Sequence, residues 1–327
     1  MDNVKAQACP LLCRVERPSR YLGTEINRVR KDRTKVKLSM ALAFPDLYDI
    51  GTCHFGIQIL YHLLNNHPAI AAERVFAPAT DMMALMGGAK NGTGLTSLES
   101  ARPLADFDII GFSLLYELNF TNVLAMLTLS ALPWRAEQRG RQHPLVIAGG
   151  PCTVNPEPMA AFFDAMVIGD GENVIMAMAE TALEWKAGGK RSKDALLDGW
   201  SQITGVYIPS RLTPQTSIRR AVVPDLQATA FPVSPVVPFG RPVHDRLRIE
   251  LARGCTRGCR FCQAGIIYRP VRERSPQSVV DLTGKALAAT GYEDLSLLSL
   301  STGDYSELTG LLDVLMPGLE KNKVAVS

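Results

Sequence analysis

Histidine and tryptophan are scarce in this chain of 327 residues, with five of the first and three of the second. No histidine or cysteine follows Cys262. Charge of one sign is also missing: 35 basic against 32 acidic residues leave a formal +3, too little to argue for nucleic acid. The densest basic stretch, Arg28-Val-Arg-Lys-Asp-Arg33, reads as a solvated surface segment. No apolar run approaches the roughly 20 residues of a membrane span. The N-terminus has no basic-then-apolar leader ending in small residues. The protein is therefore expected in the cytoplasm, without a membrane partner. The seven cysteines are an odd number, and three of them crowd one loop, which argues against a disulfide framework. Hydrophobic residues at 46% and charged residues at 20% describe a globular protein with a sizeable core, long enough for two domains.

The crowded loop is Gly254-Cys-Thr-Arg-Gly-Cys-Arg-Phe-Cys-Gln263. Its spacing, C-x3-C-x2-C, offers three thiolates, at Cys255, Cys259 and Cys262. That suits three corners of a cubane iron–sulfur cluster and leaves the fourth iron open to a substrate or cosubstrate. Zinc is the competing reading, but structural zinc usually takes four ligands in paired units. The other cysteines lie far upstream, and Cys9 and Cys13, without further ligands nearby, read as reduced thiols. Arg246-Leu-Arg-Ile-Glu-Leu-Ala252 reads as a strand, so the cysteines follow a strand's C-terminal end, where parallel α/β barrels build active sites. Arg253, Arg257 and Arg260 around the cysteines either stabilise thiolates or a bound carboxylate, or point to solvent. Arg269, Arg272 and Arg274 are equally open.

From residue 35 to 185 apolar strands alternate with amphipathic helices, the pattern of a Rossmann-like parallel sheet. Val36–Phe44, Asp108–Leu114, Leu145–Ala148 and Ala165–Ile168 read as strands and Phe55–Asn65 as a helix. Ligands in such folds bind at strand ends. There stand Ser113 and Leu115 after one strand and Gly149-Gly150 after the next, where absent side chains admit a ligand to the backbone. Gly169-Asp-Gly-Glu172 reads as a loop or as an acidic first helical turn. Residues 186–245 carry recurrent prolines and read chiefly as a connector, with a short strand-like piece at Gly205–Ile208. In 246–327, Ser275-Pro276 marks a helix start. Leu295–Ser301 is a second strand, Ser306–Leu319 a second helix, and Lys323–Ser327 the start of a third βα unit. Asp304 is a candidate N-cap.

The cysteine spacing and its place after a strand resemble the radical S-adenosylmethionine (SAM) superfamily. The resemblance implies a [4Fe-4S] cluster on Cys255, Cys259 and Cys262, whose open iron chelates SAM. It also implies an electron donor such as flavodoxin or ferredoxin, and reductive cleavage of SAM to methionine and a 5′-deoxyadenosyl radical. By the same resemblance the backbone of Phe261 lies near the adenine. Ser301, Thr302, Gly303 and Asp304 stand where the superfamily has its G-G-E-like motif and meet the amino group of SAM, although this sequence departs from that motif. Ser113-x-Leu115 and Gly149-Gly150 resemble two elements of the cobalamin-binding Rossmann-like domain. The third, D-x-H-x-x-G, is absent as such. In its place His54 is a candidate cobalt ligand with Asp46 or Asp49 behind it, the alternatives being a capping histidine and cobalamin held without one.

Pro18–Glu25, Gln58–Leu64, Gly111–Glu117, Gly149–Cys152 and Asn155–Pro158 together resemble a bacterial group of radical SAM proteins with a B12-binding-like domain. The implied organisation is an N-terminal segment 1–34, a B12-binding-like Rossmann domain 35–185, the connector 186–245 and an incomplete radical SAM domain 246–327. A parallel sheet cut there leaves an edge strand and bare apolar faces, so the C-terminal part is expected to be poorly stable alone. The expected reaction is SAM cleavage, with cobalamin as a methyl carrier for methylation of an unreactive carbon. Methylthiolation and a non-catalytic iron–sulfur binding or redox module are the alternatives. No substrate comes with the resemblance.

Overall fold

The computed structural model describes residues 11–87, 94–189, 192–211, 217–240 and 242–327. Cys9 and Pro214 lie outside them, and Cys13 is exposed. The first sheet is built from β1 (Leu38–Phe44), β2 (Ile70–Phe76), β3 (Ile109–Ser113), β4 (Leu145–Gly149), β5 (Ala165–Val167) and β6 (Val206–Tyr207). Its order is β2-β1-β3-β4-β5-β6. Strands β1 to β5 run parallel, and β6 closes the far edge antiparallel to β5.

Every residue of β1 is buried, as expected of a strand covered on both faces. Alternate residues serve two cores. Leu38, Met40, Leu42 and Phe44 pack with the helices Phe55–Asn66 and Glu172–Ala187. Ala41 and Ala43 turn to the opposite layer, with Met82, Met86, Val123 and Met126 from the helices Thr80–Met86 and Phe120–Leu129. This is the doubly wound α/β architecture, in which the strand order reverses beside β1 and leaves a crevice at the C-terminal ends of β1 and β3.

The stretch read as connector is not all connector. Helix Lys193–Ser201 puts Leu196, Leu197 and Trp200 into the first core, and β6 extends the first sheet. Among the described residues, the proline-rich part beyond β6 pairs by single bridges, Gly169 with Ala221 and Ile26 with Val237. Prolines lack the donor that a longer ladder needs.

The second sheet has β7 (Leu247–Glu250) at one edge, β10 (Asp294–Leu298) in the centre and β11 (Ala325–Val326) at the other edge, all parallel. A small antiparallel pair, β8 (Ala252–Arg253) with β9 (Arg272–Glu273), stands beside it. Leu247, Ile249 and Leu295 bury against Val279 and Ala286 of helix Pro276–Thr290 and against Leu311, Leu315 and Leu319 of helix Leu308–Lys321. These are the first βα units of a partial barrel. The Ser275 hydroxyl accepts the Ser278 amide at 3.3 Å and Pro276 opens the helix, as the sequence indicated. The next helix starts at Leu308 with Glu307 as its N-cap. Asp304 is therefore not a helix cap.

Two substitutions test the packing and the cap. Trp200 is fully buried and donates its indole N–H to the Met178 carbonyl at 3.0 Å. Trp200→Ala is expected to cost about 3–5 kcal/mol, read as a lower urea midpoint. Ser275→Ala is expected to cost about 1 kcal/mol, seen in the same measurement.

Candidate active site between the two sheets

The cysteine loop leaves the second sheet through a narrow neck. Ala252 pairs with Glu273 and Arg253 with Arg272, so the chain departs and returns at one point. Gly254 makes the exit. Its φ of +93° lies in the left-handed region, and a Cβ there would stand 2.7 Å from the Pro270 carbonyl oxygen, so only glycine fits.

Beyond it, Cys255 and Cys262 are half-buried, Cys259 is exposed, and all three are free thiols. The Arg257 amide points at Cys255 Sγ (3.5 Å) and the Gly265 amide at Cys262 Sγ (3.4 Å). Such contacts stabilise thiolates and tune cluster potentials. No three His, Cys, Asp or Glu side chains among the described residues converge closely enough to share one metal ion. In a cubane each thiolate binds its own iron, so the sulfurs need not meet at a point, and three soft donors on one exposed loop suit that group.

Phe261 is 93% exposed. Ser301 precedes the turn Thr302–Asp304, which lies after β10 and faces the loop. Arg257 forms a two-pronged ion pair with Asp304, with Nε 2.5 Å from Oδ2, and the Ser301 hydroxyl donates to the same oxygen at 2.7 Å. The hydrogen bonds from Arg257 and then Ser301 hold the Asp304 carboxyl below its usual range. Gly303 has nothing near its Cα where a Cβ would stand.

A cavity of about 340 Å³ lies at the C-terminal ends of the first sheet's strands. Its lining brings together all five residues singled out there, His54, Ser113, Leu115, Gly149 and Gly150. The opposite wall comes from the second sheet and the cysteine loop: Glu250, Arg253, Ile267 and Tyr268. The two glycines differ in their reasons. A Cβ on Gly149 would make only an ordinary contact, whereas Gly150 has φ +109° and its Cβ would stand 2.5 Å from the Leu114 carbonyl oxygen. Leu42, Ile59, Ile147 and Val167 make the lining apolar on the sheet side, and Asp170, Glu172, Glu250 and Arg253 make it ionic toward the cysteines. A larger concavity, about 800 Å³, sits at the other end of the strands around Lys37, Ser39 and Asp108, remote from the cysteine loop.

His54 caps helix Phe55–Asn66, its Nδ1 accepting the Ile57 amide at 3.3 Å. Burial, helped by the positive charge of Arg248, lowers its pKa to about 4, so the ring is neutral. With Nδ1 an acceptor, the proton sits on Nε2. Asp46 and Asp49 are engaged elsewhere. Asp46 accepts the Tyr116 hydroxyl at 2.6 Å, and Asp49 pairs with Arg17 (3.2 Å) and Arg20 (2.6 Å).

The ionic wall was not foreseen as a unit. Arg253, left open between the thiolates, a bound carboxylate and solvent, sends its guanidinium to the protein's own carboxylates: Asp170 at 3.2 Å, Glu172 at 2.7 Å and Glu250 at 3.0 Å. Arg272 pairs with the other oxygen of Asp170 and donates to the Val223 carbonyl at 2.7 Å. Arg274 donates to the Leu226 carbonyl at 2.5 Å and stands 3.8 Å from Glu250. Burial pushes the Asp170 carboxyl up, but Arg253, the Val223 amide and Arg272 outweigh it and lower the pKa. Arg260 is exposed. The GDGE segment is thus a loop whose two acids reach the cysteine neck, and Glu172 also opens the helix Glu172–Ala187.

Comparison with known proteins agrees with this layout. Residues 56–209 match the family model "Radical SAM proteins, N-terminal". An uncharacterised protein of Methanocaldococcus jannaschii is 24% identical over 284 residues, covering 86% of this chain and 53% of that protein. Two structures of the radical SAM methyltransferase TsrM from Kitasatospora setae superpose with a TM-score of 0.54 at 15% identity. One holds tryptophan and a SAM analogue, the other cobalamin and a [4Fe-4S] cluster. Each comparison covers 88% of this chain, and 54% and 53% of the respective TsrM chain, so the chain spans about half the length of the proteins it matches. The family match thus takes in a little under half of the chain, the C-x3-C-x2-C loop stands C-terminal to that match, and the chain is similar to radical SAM proteins in its first domain and to TsrM in fold.

Proposed function

We propose that this chain carries the SAM-cleaving centre of a cobalamin-dependent radical SAM methyltransferase. The observation that carries the reading is the cavity at the strand ends of the first sheet, whose far wall is the base of the cysteine loop. Two cofactor sites that must exchange a methyl group or a radical need such proximity.

Cys255, Cys259 and Cys262 hold the cluster, whose chemistry when bound is to pass an electron into SAM and split it into methionine and a 5′-deoxyadenosyl radical. The electron comes from a donor of the flavodoxin or ferredoxin class. Asp304, kept ionised by Arg257 and Ser301, takes the amino group of SAM, with Ser301, Thr302 and Gly303 shaping the turn around it. The backbone at Phe261 serves the adenine. Ser113, Leu115, Gly149 and Gly150 line the cavity and would form the floor for a corrin.

His54 lines that floor as a neutral cap. While its Nδ1 accepts the Ile57 amide and Nε2 carries the proton, no lone pair remains for a metal, so His54 would line a cobalamin site without serving as a ligand. The substrate is an unreactive carbon centre reached through this cavity.

After anaerobic reconstitution with iron and sulfide, reduction and addition of SAM, the chain is expected to form 5′-deoxyadenosine. The variant with Cys255, Cys259 and Cys262 all changed to Ala should form none. Product from that variant, or none from the wild type, would overturn the reading. For His54, the visible spectrum of bound hydroxocobalamin should be the same in His54→Asn as in the wild type; a spectral shift would make the ring a ligand.

His54 also predicts an acid dependence. Its folded pKa of about 4 lies below the value of 6.5 for an unburied ring. The unfolded chain therefore takes up the proton first, and stability falls as pH drops from about 6.5 to 4. The loss is up to about 3 kcal/mol. Asparagine still caps a helix, so His54→Asn should show a smaller acid loss in urea titrations across that window.

A further inference from the structure

Arg253 and Arg272 face each other across the neck of the cysteine loop, and both side chains are largely buried. Like charges directly opposite on paired strands repel, and a buried guanidinium without a counter-charge is costly. Among the described residues, the one acid that touches both is Asp170, with one carboxylate oxygen on each arginine. Asp170 belongs to neither strand. It stands in the loop after β5, anchored by the Val223 amide at 2.8 Å on the same oxygen that meets Arg272.

The backbone of that loop is fixed as well. The Asp170 amide donates to the Ala221 carbonyl at 3.0 Å, and the Ala221 amide to Ile168 at 2.9 Å. Glu172, next but one, adds a second hold on Arg253.

We propose that Asp170, with Arg253 and Arg272, is a clasp that positions the cluster. The first sheet thereby sets where the cysteine loop stands relative to the cavity. The proposal rests on the reading of the cysteine loop as a cluster site. Asp170, Arg253 and Arg272 are positioning residues: none donates to a thiol, and they act through the neck that carries Gly254 and Cys255. The acids of the GDGE segment are thereby assigned to the loop of the other domain as well as to the cavity wall they line.

The test uses the full chain in three forms: wild type, Asp170→Asn, and Asp170→Asn with Arg272→Gln. Asparagine keeps an acceptor for the Val223 amide and removes the charge, and the second change removes one of the two facing cations. Hydrogen exchange of the cluster-free proteins is measured first. Asp170→Asn should raise exchange in peptides spanning residues 252–273 by about fivefold or more, leave β1 and β3 unchanged, and be partly reversed in the double variant.

After reconstitution, the electron paramagnetic resonance spectrum of the reduced cluster should differ between wild type and Asp170→Asn, with iron lost several-fold faster to a chelator and both properties recovering in the double variant. A merely structural role would not produce that paired recovery. Unchanged exchange at the neck overturns the clasp, and so does loosening spread equally over the first sheet. A responsive neck with an unchanged cluster spectrum and iron-release rate overturns the positioning role. Failure of the wild type to take up a cluster overturns the reading on which positioning rests, and it is told apart because the exchange experiment needs no iron.

Discussion

Strand β1 sits between β2 and β3, and the helices of its two neighbouring crossovers leave on opposite faces of the sheet. No helix can cover the gap this creates at the strand ends. The uncovered crevice decides the rest of the architecture. The loops with Ser113, Gly149-Gly150 and the GDGE acids all open into it because they all come after strands at the same end. The second sheet then closes it from above, supplying Glu250, Arg253 and Tyr268. A chain with the same helices but a strand order without a reversal would have no such opening.

Closing a crevice with a second sheet buries whatever the two surfaces carry. Here they carry charge: Arg253 and Arg272 meet Asp170 and Glu172 from the opposite side, while Glu250 pairs with Arg253 and Arg274 on its own side. Arg253 uses three of its nitrogens on three carboxylates. Removing one partner from a buried set of this kind costs about 3–5 kcal/mol, more than the net gain from forming it. Such a wall makes the relative placement of the two sheets intolerant of small shifts. The apolar contribution is local: Phe231 of the proline-rich segment packs against Phe55 at 5.4 Å between ring centres and shares a core with Leu247 and Ile249.

Much of this was readable in the residues. Central strands announced themselves as short apolar runs, and Ser275-Pro276 announced a helix start because the chemistry of a cap is local. The cysteine loop was readable for the same reason. Strand β2 was not, since Ile-Ala-Ala-Glu-Arg-Val-Phe carries a charged pair in its middle. Arg74 is nevertheless buried, held by Glu25 at 3.1 Å and Glu99 at 2.6 Å, partners that no local pattern connects to it. Helix Lys193–Ser201 was absorbed into the connector because prolines dominate the residues C-terminal to it. The ionic wall was hidden in the same way. Asp170, Arg253 and Arg272 stand far apart in the chain, and an arginine beside a cysteine is as compatible with a thiolate as with a distant carboxylate.

The neck formed by β8 and β9 has an entropic consequence. Bringing two distant points of a chain together costs freedom that grows with the logarithm of the intervening length. In this protein the strand pairing and its ionic hold have already joined residue 253 to residue 272. The three thiols therefore search only the conformations of one closed loop, and a metal entering it does not have to gather chain ends. Preorganisation of this kind favours capture while leaving the loop's tip, with Cys259 and Phe261 exposed, free to adjust to what it receives.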